Sequence, residues 1–386
     1  MRARGRRGEA PSTTLSTPGE RHFQRRDTGN PLNHGSRGPH PAGPAPSRIV
    51  PVPSFGRGAT LSSLRVRLPV VAVVLLLGAC GPVYWMEWQS PLGRSHPLAG
   101  RVWDVGAGRF VEPRDLLERL AARRFVLLGE RHDNPDHHEL QERVVRALIA
   151  AGRRPAVGFE MLSTDDAPAL ARYLAQSPKS AAGLGDAVGW ERSGWPPWPL
   201  YAPIAQAALD AGLPLVAANL SRPATDAVRK HGLTGLGPAL AGDLALTEPS
   251  PATRAAIARE IRESHCGQAP ERLLDRMVDV QWARDARLAA SLARAGQRDG
   301  AVLIAGAGHV RRDHGVPAHL ARQAPGAGVA SLAFLEVDAG RTAPAEYAAH
   351  FGDGALPFDY AWFTTRVDDV DPCEKYQQDL ERLRRR

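Results

Sequence analysis

The sequence predicts an α/β fold: a mostly parallel central sheet flanked by helices, with an inserted helical section. Three observations predict it. Short runs rich in Val, Leu and Ile recur at helix-length separations, as parallel strands buried on both faces do. Four of these runs end in polar residues, and in such sheets the carboxyl ends of the strands open on one ligand-binding side. Between the third and fourth of them lie some eighty residues patterned as helices, too many for a simple crossover.

The elements follow in order. The run FVLL at 125–128 leads into Gly129, Glu130, Arg131, His132 and Asp133. Pro135 and Asp136, followed by Leu140, Val144, Val145, Leu148 and Ile149, open an amphipathic helix. The run at 156–159 ends in Glu160, and a second helix spans 165–176 with Ala169, Leu170, Tyr173 and Leu174 apolar. Residues 190–201 hold three tryptophans and several prolines. They read as an irregular aromatic loop, either core or an apolar wall, leading into a helix over 204–211. The run at 215–218 ends in Asn219. Residues 222–265 read as helical with breaks at 232–238 and 249–251, before a long helix over 271–295. The run at 301–305 ends in Gly306, Ala307, Gly308 and His309. A short helix over 316–323 and strands over 329–337 and 360–364 complete the domain, expected to span 113–365. Residues 81–112 read as a tether with an entry strand or turn, and 366–386 as a charged tail.

Upstream of 61 the chain is rich in Arg, Gly, Pro and Ser and cannot bury a core. It is expected to be a disordered or untranslated leader, with translation starting near 61–66. Arg65 and Arg67, the apolar stretch 68–77 and Gly78-Ala79-Cys80 have the parts of a secretory signal over 61–80. The stretch is short for a membrane span, which needs roughly 20 residues. Residues 77–80 (LGAC) resemble the bacterial lipobox, which makes Cys80 a lipidation site; the alternative is a short anchor followed by an ordinary cysteine. Residues 1–79 carry 12 of the 49 Lys and Arg and 3 of the 41 Asp and Glu. Without them the formal charge falls from +8 to about −1, and the basic balance gives no reason for a nucleic-acid partner. Cys266 and Cys373 then remain as an even pair, able to bridge or to stay free.

Glu130 and His132, Glu160, Asn219 and His309 would converge at the strand ends as one pocket. Carboxylate with imidazole suits a divalent ion such as zinc, and equally general acid–base work. The bland reading of Glu130 is a carboxylate that caps the following helix. His137 and His138 read as capping or solvated residues of the first helical turn. Gly306 to His309 lacks the third glycine of a phosphate fingerprint and presents a histidine at the sheet edge. On the long helix, Gln281 and Asp285 share a stripe with Met277, Leu288 and Leu292. They either orient the pocket from below or make an ordinary helix–sheet hydrogen bond.

Five segments in order, 125–139 (FVLLGERHDNPDHHE), 157–162 (VGFEML), 217–220 (AANL), 281–286 and 304–317 (IAGAGHVRRDHGVP), resemble the ChaN-like haem-binding lipoproteins. That family belongs to a superfamily with the Tiki proteases and erythromycin esterases. The resemblance covers roughly 113–335. It implies a lipid-anchored protein of the bacterial cell envelope, on the periplasmic or outer side, in haem or iron uptake or storage. It further implies haem held between two subunits of a homodimer with tyrosine ligation, for which Tyr201 and Tyr173 are the candidates. No Cys-x-x-Cys-His stretch is present, so the haem would be noncovalent. The alternative is a metal-dependent hydrolase, a protease or esterase. Glu130, His132, Glu160 and His309 fall where the related hydrolases keep their active residues, and Asn219 would polarise a carbonyl.

Overall fold

The computed structural model describes residues 87–352, 354–375, 377 and 381. Cys80, the signal segment and the leader lie outside the described residues. In chain order the elements are β1 (Val102–Asp104), β2 (Arg109–Val111), α1 (Pro113–Ala121), β3 (Phe125–Glu130), α2 (Pro135–Ala150), β4 (Ala156–Ser163), α3 (Ala167–Gln176), α4 (Leu184–Val188), α5 (Ala202–Asp210) and β5 (Leu215–Asn219). They continue with α6 (Arg222–His231), α7 (Gly237–Asp243), α8 (Pro251–Ser264), α9 (Glu271–Ala295), β6 (Ala301–Gly306), α10 (Val316–Gln323), β7 (Val329–Glu336), β8 (Tyr360–Thr364) and α11 (Pro372–Lys375).

One eight-stranded sheet has the order β2-β1-β8-β7-β3-β6-β4-β5. From β8 to β5 the neighbours are parallel; β1 and β2 add an antiparallel edge. This is the mostly parallel α/β fold that the apolar runs predict. Every residue of β3 and β6 is buried, because helices cover both faces of a parallel sheet. On one face Val126, Leu128, Val157 and Ile304 pack with α1, α2, α5 and the aromatic loop. On the other, Leu127 and Leu303 pack with Leu288 and Leu292 of α9 and Leu320 of α10. The inserted helices α6 to α9 have a small core of their own, around Val228, Ile257, Val278 and Trp282. Each such side chain, fully buried, stabilises the fold by roughly 1.5–3 kcal/mol.

The folded region is wider than 113–365. Part of the expected tether forms β1 and β2, and the amides of Gln89 and Ser90 donate to the buried Asp136 carboxylate at 2.7 and 3.0 Å. Thr365 Oγ1 donates to the same carboxylate at 2.7 Å. Beyond β8, Arg366 bridges back to Leu92, and Cys373 is joined to Cys266 with 5.7 Å between their Cα atoms. Strands of three residues leave no run to read in a sequence, and pairing partners more than two hundred residues away leave no local pattern.

Candidate functional site

β3, β6, β4 and β5 lie side by side, so the strand ends bearing Glu130, His309, Glu160 and Asn219 share one edge. His309 follows β6 in a tight turn over Ala307–Val310. Gly129 lets that turn lie against β3: a Cβ there would stand 3.0 Å from Ala307 Cα and collide with Val310.

The site has two halves. In the first, Glu130 is buried and its Oε1 accepts from His132 Nδ1 at 2.9 Å and from the Tyr201 hydroxyl at 3.0 Å. His138 Nδ1 stands 3.2 Å from Oε2, while His138 Nε2 lies 2.9 Å from the His132 carbonyl. A carbonyl only accepts, so Nε2 carries a proton. Nδ1 faces a carboxylate, which favours its protonated form. Burial opposes that charge, but Glu130 prevails and raises the His138 pKa. Burial likewise pushes Glu130 up, yet the two histidines pull it down to about 2. For His132 too, burial is outweighed by the hydrogen bond to Glu130, and its pKa is raised.

In the second half, Glu160 Oε1 accepts from Arg284 Nη2 at 2.7 Å and stands 3.0 Å from His309 Nε2. Its Oε2 accepts from the Gly306 amide at 2.8 Å. His309 Nδ1 lies 2.5 Å from Asp285 Oδ1, with the Gln281 amide nitrogen at 3.2 Å. Burial works against a charged His309, but Glu160 and Asp285 raise it to about 10. Glu160 is held well below the carboxylate range, because His309, Arg284 and His132 outweigh its burial. The halves meet over Gly306, where a Cβ would stand 3.0 Å from His132 Nε2 and 3.6 Å from Glu160 Oε2.

Glu130, His132, Glu160 and His309 thus come together, with Gln281 and Asp285 set against His309. Asn219 takes a different place from the carbonyl-polarising one expected of it. Its Nδ2 donates to the Glu160 main-chain carbonyl at 2.8 Å, and its Oδ1 accepts from Leu220 N and Arg284 Nε. The helix cap is Asn134, which accepts from the Asp136 and His137 amides, so Glu130 is not a cap. Neither His137 nor His138 is solvated. His137 Nδ1 accepts from the Arg131 amide at 2.9 Å and Nε2 meets Thr364 Oγ1 at 2.8 Å, and burial holds its pKa down to about 3. His138 and Arg284 are the site residues that sequence reading missed. The one signal for Arg284 was its place beside Asp285 on α9.

The donors do not suit the expected zinc. Both ring nitrogens of His309 face carboxylates, His132 Nδ1 is held by Glu130, and only His132 Nε2 stays open. Among the described residues no group of three or more His, Cys, Asp or Glu is placed to hold a metal ion.

Tyr201 is fully buried with its hydroxyl committed to Glu130. Burial and then the Glu130 charge push the phenol pKa upward, the opposite of what an iron phenolate needs. Tyr173, half-buried on α3, accepts from the Gly183 amide at 3.0 Å. In the aromatic loop, Trp190 and Trp198 belong to the main core, and Trp195 stacks edge-on against His132. A cavity of about 200 Å³ beside Glu160 is lined by Trp190, Trp195 and Asn219. It falls short of the roughly 300–1,000 Å³ of small-molecule and cofactor sites. A groove of about 760 Å³ on the inserted helices falls within that range; it is lined by Ile261, Leu273, Val280, Met277, His265, Arg229 and Arg276 among others. Apolar walls, an imidazole and two guanidiniums form a donor set that fits a porphyrin with its iron and carboxylates.

Among curated proteins none matches the chain. Among solved structures, ChaN of Campylobacter jejuni with cofacially bound haem is 20% identical at a TM-score of 0.49, over 68% of this chain and 95% of that one. The type III effector HopBA1 is 15% identical at 0.36, over 65% and 91%. A mutant of the erythromycin esterase EreC in its open conformation is 17% identical at 0.34, over 69% and 82%. The family described as haem-binding uptake, Tiki superfamily, ChaN matches residues 116–320. That segment is more than half of the 386 residues and contains both halves of the site, so the chain belongs to this family.

Proposed function

We propose that the protein binds haem noncovalently and serves haem or iron uptake or storage from the bacterial cell envelope, lipid-anchored through Cys80. Membership of a haem-binding family across residues 116–320 carries the reading. The groove on the inserted helices supports it, being large enough for a cofactor and lined by donors that suit one. A second copy of the chain would cover the outer face of the haem in a homodimer. The test is titration of the purified chain with hemin, followed by absorption and by sizing before and after loading. A saturable new spectrum with a shift to dimer is expected. A spectrum identical to free hemin at every ratio refutes haem binding, and a loaded monomer refutes the dimer alone.

A second reading, hydrolysis at the strand ends, is favoured by His132. Its Nε2 is the one open ring nitrogen beside Glu160, positioned to take a proton from water or substrate. Turnover of ester or peptide substrates that His132→Ala abolishes would establish it. Equal rates in both proteins would leave the buried network a structural one.

A further inference from the structure

Past β8 the chain crosses the ligand-binding side of the sheet. β8, β7 and β3 are neighbours in that order, and the segment beyond Thr365 meets the end of β7 and then that of β3. The Val367 amide donates to Glu336, the last residue of β7, at 3.1 Å. Asp368 lies 3.7 Å from the Arg131 guanidinium, just past β3. Lys375 donates to Asp133 at 2.8 Å and to Asp368 at 2.6 Å. His132, whose Nε2 is open, lies between the two residues gripped, Arg131 and Asp133. Between Asp368 and Lys375, Cys373 is bonded to Cys266 in the turn after α8. That bond ties the segment to the opposite wall of the site, which the inserted helices form through α9: Gln281 lies 3.2 Å from His309 and Arg284 2.7 Å from Glu160.

We propose that residues 366–375 are a strap across the strand-end site, locked by the Cys266–Cys373 disulfide and opened when a dithiol reduces it. The inference goes beyond the haem and hydrolysis readings and depends on neither. One thiol of the reductant attacks a sulfur of the bridge, forming a mixed disulfide and releasing one cysteine. Its second thiol then attacks the mixed disulfide and releases the other. Two electrons and two protons pass to Cys266 and Cys373, and the reductant leaves as its own disulfide. Both cysteines are only half-buried, so the bond is within a reductant's reach.

The rest of the strap's hold is weak. None of its described side chains is buried, and Val370 is 48% exposed. Its ion pairs to Arg131 and Asp133 join side chains that are 25–30% exposed. Water screens such pairs and they contribute little, and a segment with few buried contacts opens locally at low cost. The hinge end is firm, because Thr365 is fully buried and donates to Asp136. With the bond cut, the strap can swing away from Arg131 and Asp133 about Thr365 while the sheet and the inserted helices keep their cores.

The experiment compares the full chain oxidised, reduced with dithiothreitol and desalted, and carrying Cys266→Ser with Cys373→Ser, each checked for folding by circular dichroism. Oxidised Asp368→Asn tests the ion pairs alone. The readouts are tryptic cleavage after Arg366 and modification of His132 by diethyl pyrocarbonate, both mapped by mass. Each should be about tenfold or more faster in the reduced chain and in the double variant than in the oxidised wild type, with the circular-dichroism spectrum kept. Reoxidation should restore the slow rates, and oxidised Asp368→Asn should match the oxidised wild type. Equal rates in the oxidised and reduced chains would overturn the strap, as would opening in oxidised Asp368→Asn. Faster cleavage with unchanged His132 reactivity would overturn its cover of the site. Loss of the circular-dichroism spectrum on reduction would make the bond a staple of the whole fold and overturn the switch.

Discussion

His309 Nε2 stands 3.0 Å from Glu160 Oε1, on an oxygen that also accepts from Arg284. The carboxylate therefore answers two cations, Arg284 on α9 and His309 in the turn after β6, and His309 faces a second buried carboxylate, Asp285, 2.5 Å from its Nδ1.

His309 should make stability fall with alkali. Its folded pKa, about 10, lies above the ordinary 6.5, so the folded state holds the extra proton between those values. The contribution is complete below 6.5 and is lost as the pH rises through about 10, with a slope of up to about 1.4 kcal/mol per pH unit. His314 adds a similar slope: burial opposes its charge, but Asp313 and Glu260 raise it to about 9. The measurement is therefore the difference between wild type and His309→Gln in denaturant unfolding across this range. Parallel curves would show that His309 is neutral in the fold.

Tyr201→Phe removes one donor from the buried Glu130. A loss of about 1–3 kcal/mol in unfolding free energy is expected, with the spectrum of added hemin unchanged. Thermal melts and absorption on one sample separate the two effects; a changed spectrum at unchanged stability would return Tyr201 to the iron.

Replacing Cys266 and Cys373 by serine frees a loop of 107 residues. On the chain-entropy account this lowers stability by about 4–5 kcal/mol. Denaturation of the double variant should resemble that of reduced wild type, and insensitivity of the wild type to reductant would show that the bridge does not form in solution.

With Cys80 lipidated, Cys80→Ala should accumulate as unprocessed precursor while the wild type fractionates with membranes. Recovery of the wild type as a soluble protein beginning at Gly81 or later would remove the anchor.

What could be read from the chain divides along physical lines. The β3, β5 and β6 runs and the long α9 were legible because their apolar patterns are local and uninterrupted. The strand-end convergence was legible too, since sheet topology brings Glu130, Glu160 and His309 to one edge once the strands are assigned. His138 was misread because a first-turn histidine is commonly a surface residue; here Tyr201 packs over it, ring centroids 4.4 Å apart. The groove holding His265 arises where α6, α8 and α9 meet, and no spacing within any one helix marks it.

The Asp136 carboxylate that receives the Gln89 and Ser90 amides also sets a leash length. Gln89 follows Cys80 by nine residues, which span about 30 Å at full extension. A lipid on Cys80 would hold the Gln89–Asp136 contact, and with it the start of α2, within that distance of the bilayer.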